Sequence, residues 1–328
     1  MPVGAVAGPG QKSWLTRPQP GTRRDRAPGL GIMQVVAHLP VGPAMFDLSG
    51  RAAIVTGGSG ALGRAIAIGL RSAGAHVALL ARHPGTLDEV VASLAPRLPG
   101  GPGTPEMPGG PGVRGETVAL VADVLDVESL EDARGAVIER WGRLDVLVNA
   151  AGGNQAEATV PVGGSFFDLD ADGFRAVLEL NLMGTFLATQ VFAKTMAGNG
   201  NGSVVNISSM AASRPLSRVV GYGAAKAGVE NLTRWLADHI ARQVSPAIRV
   251  NAVAPGFFLG DQNRALLTEA DGSLTERGRA IVSRTPMGRL GSPQDLVGTV
   301  LWLASDASAF VTGTVVPVDG GFSATAGI

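Results

Sequence analysis

From Phe46 onward, short apolar runs rich in β-branched residues alternate with segments of helical periodicity, and this alternation limits the fold more than any other feature. The runs include RAAIVTG, HVALLA and TVVPVDGG, and the helical pattern ALGRAIAIGLRSAG separates the first two. Runs such as GSVVNISS lack polar alternation, which is typical of strands covered on both faces. The sequence therefore predicts one doubly wound α/β domain over residues 45–328, with about seven parallel strands and helices on both faces.

Two segments fall outside this alternation. Residues 1–44 are rich in Pro, Gly and Arg and have no periodicity that would bury a face, so we expect a disordered N-terminal extension. An export signal is only faintly suggested there, because polar residues and a proline interrupt the apolar stretch, and the alternative is a natural start at Met45 or Met33. The Gly/Pro stretch APRLPGGPGTPEMPGGPGVRG is predicted to be a mobile loop.

Charge and composition narrow the kinds of partner. Lys plus Arg and Asp plus Glu both number 27, so no net field attracts nucleic acid or an anionic membrane. The chain has no cysteine and four scattered histidines, so we expect no disulfide and no metal site. The longest apolar segment, FRAVLELNLMGTFLATQVFAKTM, contains charged residues that would be costly in lipid, and is predicted to be a buried helix. The expected partners are small molecules or further copies of the chain.

The first predicted strand continues directly into the glycine-rich stretch TGGSGALG, Thr56 to Gly63, and then into a helix. Glycines at such a turn let backbone N–H groups and the helix N-terminus approach a pyrophosphate closely. Because glycine is frequent in this chain, with 47 residues, a plain flexible loop is the alternative. The strand-turn-helix context favours dinucleotide binding by a Rossmann-like domain.

The end of the second predicted strand bears on the choice of cofactor. An acidic residue there would bind the ribose hydroxyls of NAD, but the sequence LLARHP has Ala81 and Arg82 instead. This favours NADP, with NAD as the alternative. A solvated arginine with no role is the competing interpretation of Arg82.

The only tyrosine of the chain, Tyr222, lies among glycines and alanines in GYGAAKAG. Lys226 follows at i+4, so a helix would place both side chains on one face. A nearby ammonium favours the phenolate, so we expect the lysine to lower the tyrosine pKa and make it a general acid and base for an alcohol proton. Ser209 ends the preceding predicted strand and is a candidate to hold the reacting carbonyl.

The motifs TGGSGALG, LVNAAG, ISS, YGAAK and APG occur in the order and spacing of the short-chain dehydrogenase/reductase family, which the chain resembles from about Phe46 to its end. This resemblance implies a catalytic set of Asn181, Ser209, Tyr222 and Lys226, with Asn181 holding a proton-relay water and Lys226 also binding the nicotinamide ribose. The implied cofactor contacts lie on the glycine-rich loop, at later strand ends and on the catalytic helix: Gly57, Ser59, Gly60, Leu62, Gly63, Arg82, Asp123, Val124, Asn149, Ala150, Ala151, Gly152, Tyr222, Lys226, Pro255, Gly256 and Phe258.

Each carried-over residue also has a plain structural interpretation. Asn181 could interrupt a helix, Ser209 could end a strand, Asp123 could belong to a turn and Lys226 could lie on the surface. Three positions depart from the family pattern: Ala61, Ala150 and Gly260. Gly260 stands where many members have a threonine that contacts the nicotinamide.

A narrower resemblance concerns the segments flanking the expected substrate pocket, such as NAAGGNQAEATV and PGFFLGDQNRALLTEADGSLTERG. These look like the fructuronate reductase and D-mannonate oxidoreductase branch, which implies reversible reduction of a keto sugar acid. A substrate lid is expected near residues 257–286. Besides Ser209, the candidates for binding the substrate are Asn154, Arg218 and Arg264, because amides and arginines can grip a carboxylate.

Two other functions compete with this one. A 3-oxoacyl carrier-protein reductase or other polyol dehydrogenase would use the same catalytic set on another substrate. A catalytically idle binding protein could share the fold, although it would have no need of the Ser-Tyr-Lys combination. The family resemblance further implies a homotetramer, and we expect a cytoplasmic protein.

Overall fold

The apolar runs form one sheet of seven strands, all parallel, in the order β3-β2-β1-β4-β5-β6-β7. The computed structural model describes residues 41–94, 115–260 and 263–324. The strands are β1 Ala52–Thr56, β2 His76–Ala81, β3 Thr117–Val121, β4 Val146–Asn149, β5 Gly202–Ile207, β6 Ile248–Pro255 and β7 Val315–Val318. The predicted doubly wound α/β fold is confirmed. Strand order reverses between β1 and β4, and ligands of such sheets bind at the carboxyl end of this switch point.

Helices cover both faces of the sheet because strand side chains alternate between two apolar layers. Ala53 and Val55 of β1 pack into one layer, whereas Ile54 packs into the other. The helices are α1 Ala61–Ser72, α2 Pro84–Leu94, α3 Val127–Trp141, α4 Ala171–Leu178, α5 Gly184–Asn199, α6 Val220–Gln243, α7 Arg264–Leu267, α8 Glu276–Ser283 and α9 Val297–Ala304. Core side chains of α1 and α9 fill the first layer, and those of α3, α5 and α6 fill the second.

The longest apolar segment is a helix, as the sequence predicts. Ala171–Asn199 runs through α4, a π-helical turn at Glu179–Met183, and α5. By length and composition alone this stretch could cross a membrane, but 44% of its most apolar window is buried in the domain. A helix that packs in the core of a globular domain meets the same criteria of length and composition.

Several sequence predictions concern residues that the structure does not describe. The predicted disordered extension, residues 1–44, lies outside the described residues except for Val41 to Ala44, and a 3₁₀ turn at Gly42–Phe46 begins before the expected boundary at Met45. The predicted mobile Gly/Pro loop lies outside the described residues except at Gly115. The expected lid region contains α7 and α8, which a bridge between Thr268 and Leu274 connects. Whether it closes over a substrate stays a prediction.

Candidate active site

The turn between β1 and α1 leaves room only for glycine at its closest contacts. Gly57 has a φ of +66°, and a Cβ there would lie 2.8 Å from the Ala150 carbonyl oxygen. A Cβ on Gly63 would lie 2.3 Å from the Gly57 oxygen. No side chain caps α1 at Gly60, so the first-turn N–H groups of the helix remain available. This turn therefore fits the pyrophosphate of a dinucleotide.

The end of β4 forms the floor beside this turn. The two amides that follow Asn149 both donate to Thr56 Oγ1, each at 3.1 Å. Asn149 Nδ2 donates to Thr189 Oγ1 at 2.9 Å and to Asn206 Oδ1 at 2.8 Å, whereas its Oδ1 is buried without a partner in the described residues. The polar network holds β4 and β5 in register with the helix beneath them. The backbone from Asn149 to Gly152 is thus fixed next to the glycine-rich turn.

At the ends of β2 and β3 the cofactor candidates differ in their exposure to solvent. Arg82 is exposed directly after β2, and Ala81 before it is half-buried. Asp123 Oδ1 accepts from the Leu125 amide at 3.0 Å, which supports the turn interpretation of this residue. Val124 is buried against Gly184, where a Cβ would lie 2.7 Å from Val124 Cγ2. The residues at the end of β2 are Ala81 and Arg82, so no acidic side chain stands at this position, as the sequence indicates.

Asn181 lies in the π-helical turn between α4 and α5 and is fully buried. Its Nδ2 donates to the carbonyl oxygens of Gly153 at 2.7 Å and Val177 at 2.9 Å, and its Oδ1 accepts from the Gly153 amide at 3.1 Å. A π-helical turn is a common feature of functional sites. Asn181 therefore interrupts the helix and at the same time holds the loop after β4.

Gly152 brings three parts of the site together. A Cβ at this position would lie 2.6 Å from Asn181 Oδ1 and 3.2 Å from Lys226 Nζ. The end of β4, the π-helical turn and α6 consequently meet at one point. Only glycine fits there without moving one of the two polar side chains.

Lys226 is buried, so the interpretation of a surface lysine is wrong. Its Nζ donates to the Ile207 carbonyl oxygen at the end of β5, at 2.8 Å, and lies 5.6 Å from the centroid of the Tyr222 ring. Desolvation lowers the pKa of Lys226 to about 8. The i, i+4 spacing does place both side chains on one face of α6, as predicted.

The predicted lowering of the Tyr222 pKa by Lys226 is wrong. Burial raises the pKa of Tyr222 above 10.0, while a hydrogen bond with the Ser209 side chain acts in the opposite direction. The ammonium of Lys226 is directed to the Ile207 oxygen rather than to the phenol oxygen. Tyr222 is consequently protonated at neutral pH and suited to donate a proton.

Ser209 is the second residue after the end of β5 and is buried. Its Oγ accepts from the Ala211 amide at 3.1 Å and caps the 3₁₀ turn Met210–Ala212. The Ser209 hydroxyl also lowers the pKa of Tyr222, so the two hydroxyl groups lie close together. Together they can bind one carbonyl oxygen and protonate it.

The residues predicted to bind the substrate differ in how many of their polar groups already form hydrogen bonds within the protein. Arg218 has a φ of 76°, its Nε donates to the Val160 oxygen at 2.7 Å, and its own carbonyl accepts from the Val160 amide at 2.9 Å. Asn154 Nδ2 donates to Thr159 Oγ1 at 2.6 Å, so this amide is tied into its own loop. Arg264 begins α7 and is exposed.

The turn after β6 lies beside the cofactor loop. A Cβ on Gly256 would lie 2.7 Å from Asp319 Cα, so the chain must pass this point without a side chain. Phe258 is buried and forms a bridge with Gly291. At Gly260 a Cβ would lie 3.5 Å from Ala61 Cβ, so this turn borders the start of α1.

A cavity of about 410 Å³ lies behind this turn, between the ends of β6 and β7 and the segment that leads into α9. Phe257, Phe258 and Met287 are among its lining residues, but none of the four predicted catalytic residues is. The four catalytic candidates therefore lie outside this cavity.

Two elements of the site have no signal in the sequence motifs. The Ile207 carbonyl receives the lysine ammonium, and any residue type could supply that oxygen. Glu230 is buried on α6, where its Oε1 accepts from Ser208 Oγ at 3.1 Å and so supports the segment that carries Ser209. In the sequence Glu230 resembles any other charged residue of this helix, so no motif identifies it.

Known proteins are similar to this chain in sequence and in fold over most of its length. A sequence profile of the family described as Enoyl-(Acyl carrier protein) reductase matches residues 58–323. The uncharacterized oxidoreductase UxuB of Bacillus subtilis (strain 168) is 42% identical over 295 residues, which cover 87% of this chain and 99% of that protein. This chain belongs to the short-chain dehydrogenase/reductase family. It is an NAD(P)-dependent oxidoreductase acting on CH–OH groups, and the predicted family is confirmed.

Solved structures that are similar to this chain contain a nicotinamide cofactor. A candidate D-mannonate oxidoreductase from Haemophilus influenza, with bound NAD, superposes with a TM-score of 0.75 at 38% identity, covering 86% of this chain and 98% of that chain. A candidate NAD(P)-dependent gluconate 5-dehydrogenase from Beutenbergia cavernae, with NADP at low occupancy, gives a TM-score of 0.70 at 36% identity, covering 86% and 100%. Neighbours of this chain thus bind either form of the nicotinamide cofactor.

Proposed function

We propose that this member of the family interconverts a keto sugar acid and its hydroxy acid, of the fructuronate and mannonate kind. The observation that carries the proposal is the convergence of Asn181, Ser209, Tyr222 and Lys226 beside the glycine-rich turn. Similar proteins named for mannonate and gluconate favour an acid substrate over other alcohols.

Bound nicotinamide supplies or accepts the hydride at the carbon that is reduced or oxidised. In the direction of reduction, Ser209 and Tyr222 bind the carbonyl oxygen, and the phenol transfers its proton to this oxygen. The raised pKa of Tyr222 keeps that proton in place until the substrate arrives. Lys226, bound to the Ile207 oxygen, stabilises the phenolate that remains. Asn181 holds the loop after β4 and, by family resemblance, a water that returns the proton.

The acid group of the substrate needs a cationic or amide receptor. Arg218 is the strongest candidate, because its Nε alone is used by the fold and its terminal nitrogens have no partner in the described part of the chain. Its left-handed backbone is unusual for an arginine, and such conformations cluster at functional sites. Arg264 and Asn154 are the second and third candidates.

For the cofactor we propose a preference for NADP. Arg82 is exposed after β2, and Ala81 leaves no carboxylate to bind the ribose hydroxyls of NAD. The NAD bound to the Haemophilus protein supports the alternative. Cofactor oxidation with NADPH and NADH at equal concentration decides between the two.

We further propose a homotetramer located in the cytoplasm. Exposed apolar side chains on the helical segments, Met183 in the π-helical turn and Trp235 on α6, favour burial against another subunit. Light scattering that gives a stable monomer at micromolar concentration would contradict the assembly.

Reduction of fructuronate and related keto acids is compared with reduction of the matching neutral ketoses and of 3-oxoacyl thioesters. We expect the acids to be reduced best, and we expect Arg218→Ala or Arg264→Ala to raise KM for the acids selectively. The sugar-acid proposal would be refuted if neutral ketoses are turned over as well as the acids and both arginine variants keep the parent KM. Preference for thioesters would favour the alternative function of a 3-oxoacyl carrier-protein reductase.

A further inference from the structure

The chain after β7 folds into a tight turn, Asp319–Ala324, which we call the C-terminal turn. The Asp319 carboxylate accepts from the amides of Gly321 at 2.9 Å and Ser323 at 2.8 Å. The Ala324 amide donates to the Gly321 oxygen at 3.1 Å. Local bonds, two of them to the Asp319 carboxylate, therefore hold the turn, and the Met287 amide also donates to its Gly320 oxygen at 3.1 Å.

Arg214 connects this turn to the segment that carries Ser209. Its Nη2 and Nε donate to the Ser323 oxygen at 2.6 and 3.2 Å. The Arg214 amide donates to the Met210 oxygen at 2.9 Å, so the arginine is anchored in the turn that Ser209 caps. Arg214 has no carboxylate partner among the described residues, and its place is determined by this carbonyl contact.

The C-terminal turn also contacts the segment after β6. The ring of Phe322 meets the ring of Phe257 edge to face, with centroids 5.3 Å apart and planes at 65°. Gly256 and Asp319 pass so closely that a Cβ on Gly256 would lie 2.7 Å from Asp319 Cα. Phe322 remains half-buried, so part of its ring is open.

These contacts place the C-terminal turn at the carboxyl end of the sheet. It lies on the side of β5, β6 and β7, whereas the glycine-rich turn lies next to β1. Ligands of open parallel sheets bind along this edge, and the dinucleotide phosphates occupy the β1 end. The substrate must approach Ser209 and Tyr222 from the remaining part of the edge, next to the segment that Arg214 holds.

We infer that the C-terminal turn forms one wall of the substrate pocket, and that Phe322 is a specificity-determining residue that limits substrate length. Arg214 is the positioning residue that keeps this wall against the Ser209 segment. The inference rests on the proposed function only for the class of substrate, since any alcohol or ketone reduced at Tyr222 would meet the same wall.

The test compares Phe322→Ala with a matched control, Phe310→Ala. Phe310 is fully exposed and precedes β7, so it lies toward the opposite end of that strand. The assay measures kcat and KM for substrates of increasing chain length, together with the Kd of the reduced cofactor. The substrates are keto acids if the parent reduces sugar acids, and neutral ketones if it reduces polyol-derived ketones. The test can therefore be carried out even if the sugar-acid proposal fails.

We expect Phe322→Ala to shift the ratio of kcat/KM between long and short substrates toward the long ones by on the order of 10-fold, with cofactor Kd unchanged. Phe310→Ala should leave the ratio at the parent value. An unchanged ratio in Phe322→Ala would overturn the inference. If this variant fails to fold, Phe322→Leu is measured instead, with the same criterion and a smaller expected shift.

Arg214 is tested by rescue. Arg214→Ala should raise KM for every substrate of the series, and Arg214→Lys, which can still donate to the Ser323 oxygen, should recover part of the loss. Cofactor Kd should stay constant in both variants. If alanine and lysine variants both keep the parent KM, Arg214 does not position the wall.

Discussion

Replacing Lys226 with methionine tests the electrostatics of the site through folding stability. The pKa of Lys226 is lowered from 10.5 to about 8 by burial, and each unit corresponds to about 1.4 kcal/mol. Below the folded pKa, the buried ammonium therefore costs about 3 kcal/mol of stability. Because the unfolded chain binds the proton more tightly than the folded one, stability rises with pH between the two pKa values. From about pH 7 to about pH 9.5 the parent should gain about 2 kcal/mol relative to Lys226→Met.

The assay is urea unfolding of both proteins without cofactor, at several pH values within this range. Loss of the Nζ hydrogen bond to the Ile207 oxygen changes the free energy of unfolding of the methionine variant by the same amount at every pH. Only the slope of the free energy of unfolding against pH is therefore diagnostic. Lys194→Met is the control, because Lys194 is exposed and the same substitution is therefore made outside the buried site. Parallel pH profiles for the parent and Lys226→Met would refute the argument that burial depresses the lysine pKa.

Three further perturbations test neighbouring parts of the site. Because Tyr222 is the only tyrosine, phenolate absorbance during an alkaline titration reports it alone; we expect ionisation above pH 10.0, and still higher in Ser209→Ala, whereas a lower midpoint in that variant would contradict the assigned hydrogen bond. Gly152→Ala should reduce turnover by about 10-fold or more, since its Cβ would lie 2.6 Å from Asn181 Oδ1, and unchanged kcat would show that the site can shift without loss. Ala81→Asp should move the cofactor preference toward NAD, as measured by the ratio of kcat/KM for NADPH and NADH, and a parent that already prefers NADH would contradict the NADP proposal.

Much of the fold was predictable because strands and helices each require a characteristic spacing of apolar residues along the sequence. The runs that became β1, β4 and β5 lack polar alternation, and all three are buried in the structure. The i, i+4 spacing of Tyr222 and Lys226 likewise required only that their segment be helical, and α6 meets that condition. Local patterns of this kind do not depend on the rest of the chain.

The remaining features depend on contacts between distant segments. The direction of the Tyr222 pKa shift follows from burial and from the binding of Lys226 to the Ile207 oxygen, which the spacing of the two residues does not reveal. The left-handed backbone of Arg218 and its contacts with Val160 are equally absent from the motifs. Backbone carbonyls accept hydrogen bonds whatever the side chain, so these interactions cannot be predicted from residue types.

The central claim is that Tyr222 donates the proton to the carbonyl oxygen, and Tyr222→Phe tests it most directly. This change removes one hydroxyl while the helix, the ring and the contact of Lys226 with Ile207 remain. We measure kcat for the best keto substrate and, separately, the Kd of the reduced cofactor. The account predicts that kcat falls by about 100-fold to 10,000-fold while cofactor Kd changes little. A phenylalanine variant with near-parent kcat would contradict the assignment of Tyr222 as the proton donor.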